Sequence, residues 1–231
     1  VTGMHLTARE WSWAGAGTRL LLDGMSGLAD DELDGPSALP GWTRRYLLAH
    51  VASNAEALLR LLGWARTGVE NRMYASAEQR SAEIELGAAR GDLRERVRDS
   101  AHRLDAAVRA MPDAAWRSEV VTAQGRTVPA REVLWMRARE TCVHAVDLRC
   151  GTGFADLPPA FLVALIEEVV GRRSARPGPS VLLHAASARY ELSGYGPRQV
   201  VELPPADAAA WLVGWRPAGP SSGLPELPPW L

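Results

Sequence analysis

Apolar residues recur at three- and four-residue spacings through most of the first 150 positions, the period of helices that bury one face. The first such run, LTAREWSWAGAGTRLLLDGMSGL, carries Leu6, Trp11, Trp13, Leu20, Leu21, Leu22 and Met25. Gly15 and Gly17 weaken its middle. A polar loop marked by Pro and Gly, ADDELDGPSALPGW, ends it. Thr43 is a good N-cap for a second helix through RRYLLAHVASNAEALLRLLGWA, whose apolar stripe includes Leu47, Leu48, Val51, Leu58, Leu59 and Leu62. Ser76 followed by Gln79 is a capping-box signature. It predicts one long third helix that continues through Met111. Thr127 is expected to cap a fourth, with Pro129 in its first turn, where a missing N–H costs little. Four amphipathic helices joined by loops predict a four-helix bundle over residues 1–152.

The pattern changes after Gly151. A helix in PPAFLVALIEEVVGRR is followed by three alternating, strand-like runs, SVLLHAAS, RYELSGYG and RQVVEL. A short helix, ADAAAWLVGW, precedes a tail rich in Pro, Gly and Ser. Residues 153–231 therefore read as a small α/β domain, and the whole chain as α+β. No internal repeat is visible.

Composition narrows the function. A chain of 231 residues, 47% hydrophobic and 23% charged, suits a globular fold of one large or two modest domains. A net charge of −1 argues against a nucleic-acid partner. All 26 basic residues are Arg. Cys142 and Cys150, on one predicted helix, would lie about 12 Å apart along its axis. A disulfide allows about 7 Å between Cα atoms, so free thiols and a reducing compartment are expected. No run is long and apolar enough to span a bilayer, and the first residues lack a basic-then-apolar signal pattern. A cytoplasmic protein with no membrane partner is expected.

The candidate chemistry lies where polar residues interrupt buried faces. In RARETCVHAVDL, Glu140 and His144 are four apart and share one helical face, on a stripe that runs Val133, Arg137, Glu140, His144, Asp147 or Leu148. The second helix shows the same lapse at His50 and Asn54, between Leu47 and Leu58. Buried charges need partners or a metal. His50, Glu140 and His144 make a His₂Glu set that suits Zn²⁺ with a fourth position open, and other divalent metals also accept it. A buried hydrogen-bonded network among the same groups fits equally at this point. Asp147 could orient His144 from behind. His102, among RDSAHRLD, reads as a solvated face. His5 and His184 read as surface or structural residues.

Four ordered stretches, LPGWTRRYLLAHVASNAEALLRLLGWARTG, MYASAEQRSAEIELGAARG, RARETCVHAVDL and GLPELPPWL, resemble the mycothiol-dependent maleylpyruvate isomerase family over nearly the whole chain. The resemblance implies a DinB-like four-helix bundle that binds Zn²⁺ through His50, Glu140 and His144, joined to a C-terminal α/β domain. It implies mycothiol as a second cofactor and isomerisation of maleylpyruvate to fumarylpyruvate. A thiolate would add to the cis double bond, the resulting single bond would rotate, and thiolate expulsion would leave the trans product. Arg80 matches a family active-site arginine and is expected to be catalytic and substrate-binding. Arg216 is the nearest match to a second such arginine, but Trp215 stands where the family has Gly followed directly by Arg. A dicarboxylate substrate calls for guanidinium partners, since these bind carboxylates bidentately. Arg137 is the next candidate after Arg80, and Asn54 is a further candidate for holding substrate or thiol. Two alternatives share the scaffold: a mycothiol S-transferase and a non-catalytic DinB-like binding protein.

Overall fold

The computed structural model describes residues 2–215 and 223–228, with backbone alone for 2–7. The chain divides into two compact units, residues 1–152 and 153–231. The fold is α+β. Four long helices dominate the first unit: α1 (Thr2–Ser26), α2 (Arg44–Thr67), α4 (Leu93–Arg109) and α5 (Glu132–Asp147). A shorter α3 (Ala77–Ala88) lies between α2 and α4 in the chain. α1 packs along α5, and α2 packs against α3, α4 and α5.

Local chemistry sets the helix ends. The Thr43 hydroxyl accepts the Tyr46 N–H at 3.1 Å, and α2 closes on Gly68, whose φ of 74° suits a residue without Cβ. Ser76 accepts the Gln79 N–H at 3.1 Å, and the Gln79 side chain reaches back to the Ala75 N–H at 2.6 Å. Apolar faces form two clusters. One gathers Leu58, Leu61, Leu104, Val120 and Val133, the other Leu21, Met25, Leu47, Leu48, Val97 and Leu148.

Two expectations for this unit need correction. The long third helix is two helices, broken around Arg90–Asp92. Gly87 and Gly91 lower helix propensity there. Arg90 pairs with Asp92 at 2.5 Å, and the Arg96 guanidinium fills the space a Cβ on Gly87 would need. The expected cap and first turn of the fourth helix are instead a strand. β1 (Glu119–Val121) pairs antiparallel with β2 (Thr127–Pro129) around a turn at Gly125, φ 76°, and α5 begins only at Glu132. Val120 and Val128 face each other in the core, and this burial outweighs the helical use of Thr127 and Pro129.

In the second unit, α6 (Pro159–Ser174) precedes β3 (Pro179–Ala185), β4 (Ala188–Leu192), β5 (Tyr195–Leu203) and α7 (Pro205–Leu212). The strand order is β4-β3-β5, with β4 antiparallel and β5 parallel to β3. The chain crosses the start of β3 at Gly194, where a Cβ would lie 2.2 Å from the Gly178 carbonyl oxygen. Buried Arg173 donates to the Leu212 carbonyl at 2.9 and 2.7 Å and to that of Pro228 at 2.6 Å. It thereby satisfies the end of α7 and holds the segment beyond it. Trp211 is buried in this unit's core, and half-buried Trp215 meets Phe154 edge-on. Among the described residues no helix is long and apolar enough to cross a membrane, and both cysteines are free thiols.

The helix-weakening glycines of α1 have different roles. A Cβ on Gly17 would lie 2.6 Å from the Cys142 backbone nitrogen and 2.7 Å from Thr141 Oγ1, whereas one on Gly15 would meet only Arg19, at 3.8 Å. Gly17 is thus what allows α1 to approach α5. Gly15→Ala should stabilise the protein by about 0.5–1 kcal/mol through helix propensity. Gly17→Ala should destabilise it by about 1–2 kcal/mol, because overpacking outweighs that gain. Urea unfolding of both variants checks this, and equal signs would contradict the assigned close contact.

Candidate metal centre and adjoining cleft

α5 brings Arg137, Glu140, His144 and Asp147 onto one face, and α2 meets it with His50 and Asn54. Donor atoms of His50, Glu140 and His144 all lie within 4.8 Å of one another. His50 Nε2 touches Glu140 Oε1, and His144 Nε2 stands 3.5 Å from the same oxygen. The two imidazoles are 5.2 Å apart at 81°, and Trp42 meets His50 edge-on at 5.2 Å.

The surroundings aim these donors. Asp147 Oδ2 lies 2.7 Å from His144 Nδ1, and Asp147 is 2% exposed. A proton on Nδ1 shared with that carboxylate leaves Nε2 as the lone-pair donor, the arrangement that orients metal-binding histidines. Arg137, also 2% exposed, donates to the Val51 carbonyl and to Asn54 Oδ1, each at 3.0 Å. Arg137 and Asn54 are thus brought together within the packing of α2 against α5. Burial lowers the Arg137 pKa to about 10, while Glu140 raises it.

Charge in the cluster is unevenly held. Burial opposes ionisation of Glu140, yet the charges and hydrogen bonds of His50 and His144 hold its carboxyl well below the usual range. Burial pushes the His50 imidazole down, against the pull of Glu140. Burial also disfavours charge on His144, but Asp147 and Glu140 outweigh it and raise its pKa to about 10. The cluster therefore draws positive charge toward Glu140.

A divalent cation suits this donor set on two observations. The Glu140 Oε1 atom is buried, with His50 Nε2 against it and His144 Nε2 3.5 Å away, so three atoms able to ligate a cation converge there. Glu140 and Asp147 with Arg137 leave one net negative charge when both histidines are neutral. A divalent cation would turn that into one net positive charge, which favours an anionic further ligand.

Arg80 lies elsewhere, half-buried on α3, in a cleft of about 310 Å³ lined by Arg72, Tyr74, Arg80 and the β1–β2 turn at Thr122–Gly125. Its charge acts on His50 and on Tyr74, and the Glu140 charge acts on Tyr74 as well, so cleft and cluster are electrostatic neighbours. Arg216 lies outside the described residues. His102 is exposed, and His184 stands 3.7 Å from Glu202 in the second unit. Sequence reasoning missed Tyr74 and Trp42. Both lie in or beside loops, where no periodicity marks a side chain's direction; only the nearness of Tyr74 to Arg80 in the chain was a signal.

Fold and site together define a helical-bundle protein with a partly buried His₂Glu centre fit for a divalent metal. The family model described as "Mycothiol maleylpyruvate isomerase N-terminal domain" matches residues 14–149. Two crystal structures are similar over the full length: one of the mycothiol-dependent maleylpyruvate isomerase, and one of a histidine-to-alanine mutant of it. Each is 38% identical, with 97% of both chains covered and a TM-score of 0.91. No curated protein matches the chain. The chain belongs to the mycothiol maleylpyruvate isomerase family.

Because Asp147 fixes which His144 nitrogen is the donor, Asp147→Asn should weaken divalent-metal binding about 10–100-fold. Calorimetric titration with Zn²⁺ checks this, and wild-type affinity in the variant would contradict the orienting role.

Proposed function

We propose that this chain catalyses the mycothiol-dependent isomerisation of maleylpyruvate to fumarylpyruvate, with a divalent metal, Zn²⁺ by donor chemistry, held by His50, Glu140 and His144. The observation that carries the reading is the convergence of these three donors next to an arginine-bearing cleft, in a chain with full-length similarity to the isomerase. Bound there, the metal supplies Lewis acidity that keeps a coordinated thiol as its nucleophilic thiolate.

The protein's own residues do the rest. Asp147 holds the His144 tautomer, and Trp42 packs against His50 where no hydrogen bond steadies its Nδ1. Arg80 offers a substrate carboxylate a guanidinium partner from the cleft. Arg137 keeps a positive charge beneath Glu140 while its bonds to Val51 and Asn54 hold α2 against α5. Its contribution to substrate binding is therefore electrostatic. The partial burial of the cluster lowers the local dielectric and strengthens each of these interactions.

Purified, metal-loaded protein should convert maleylpyruvate to fumarylpyruvate only when mycothiol is present, and the thiol should be recovered unchanged. Glu140→Ala should lose both bound metal and at least about 10²-fold of this turnover. Thiol consumption without isomerisation would indicate an S-transferase instead. Full turnover in a metal-free variant would contradict the metal-centred reading.

A further inference from the structure

Tyr74 is a polar group of this region to which no role has yet been assigned. It lies in the loop between α2 and α3, and its ring packs on the core cluster formed by Leu58, Leu61 and Val120. The Arg60 guanidinium sits over the ring, 5.7 Å from its centroid. Arg60 is itself fixed by the Met73 carbonyl and by Glu83, 3.2 Å away. The ring is thus held from behind, in a wall of the cleft that also contains Arg80. The charges of Arg80 and Glu140 both act on the side chain, so Tyr74 shares a cleft with Arg80 and is an electrostatic neighbour of the three-donor cluster.

The chemistry of the substrate asks for a donor at such a place. When a C–S bond forms at the far carbon of the double bond conjugated to the ketone, the alkene π pair shifts to the adjacent C–C bond and the carbonyl π pair moves onto the ketone oxygen. Both shifts reverse when the C–S bond breaks and its electron pair leaves with the thiolate, so no net proton or electron is consumed. A preorganised neutral donor stabilises that transient charge without surrendering its proton. Arg80 answers a carboxylate that is charged throughout. Nothing assigned so far answers the oxygen that is charged only in passing.

We propose that the Tyr74 hydroxyl is the hydrogen-bond donor to the substrate's ketone oxygen, a role that rests on the isomerase reading above. Burial holds its phenol up at about 12, so it keeps its proton under ordinary conditions. A donor of this kind acts mainly when charge develops, and its loss lowers kcat more than it raises KM.

Tyr74→Phe tests this because it keeps the ring, its packing and its contact with Arg60, and removes only the hydroxyl. In the metal-loaded enzyme, kcat should fall about 10²-fold while KM changes less than about threefold. Metal content and thermal midpoint should stay at wild-type values. Unchanged kcat, or a loss matched by lost metal or lowered stability, would overturn the proposal. A second readout needs no turnover: calorimetric binding of oxaloacetate, a keto dicarboxylate, compared with succinate, which lacks the ketone. Tyr74→Phe should weaken oxaloacetate about tenfold relative to succinate. An unchanged ratio, or a wild type that binds neither dianion, would contradict the assignment. A wild type that shows this selectivity without isomerising maleylpyruvate would overturn the isomerase reading and leave the donor role supported.

Discussion

The structure depends on one constraint: the carboxylate of Glu140, 15% exposed, is set largely out of water between α2 and α5. A helix-bundle interior has few ways to tolerate such a charge. Here two imidazoles face it, a guanidinium lies one turn before it, and a second carboxylate waits behind one imidazole. Each of those groups would be a costly choice on a buried face taken alone. Together they make one cluster whose members compensate one another, and whose donor atoms lie within 4.8 Å of one another. The polar lapses at His50 and Asn54 on α2 follow from the same constraint, because α2 is the surface that α5 meets there.

The remaining architecture delivers this meeting. Gly17 lets α1 press closely against the backbone of α5 at Cys142, which seats α5 in the bundle. The β1–β2 hairpin buries Val120 and Val128, and its turn forms one wall of the cleft. The capped start of α3 places Arg80 on another. A polar cluster within the helices and a cleft built from loops are thus separate pieces of folding, coupled by charge rather than by covalent proximity.

Much of this was legible in the sequence, for identifiable reasons. Thr43 and Ser76 announced their helices because a hydroxyl that accepts an N–H three residues on is a local interaction. His50, Glu140 and His144 stand out because they belong to polar patches in the middle of faces whose ends are apolar. The third helix reads as continuous because its amphipathic period survives the break at Arg90–Asp92; Gly87 and Gly91 are a weak local signal for that break, which the contact between Gly87 and Arg96 reinforces. The hairpin was read as a helix start because Thr and Pro carry the same local signal in both settings. Burial of Val128 against Val120 decides between them, and that pairing is not local. Tyr74 left no periodic mark at all, since loop side chains take their direction from what packs around them.

The central claim is that the three donors hold a divalent metal that accepts the thiol. X-ray absorption at the zinc edge, on Zn²⁺-loaded protein before and after addition of mycothiol, addresses it directly. The account predicts imidazole nitrogen and carboxylate oxygen neighbours at first, and the appearance of one sulfur neighbour when the thiol is added. A zinc environment without imidazole, or one that gains no sulfur, would contradict it.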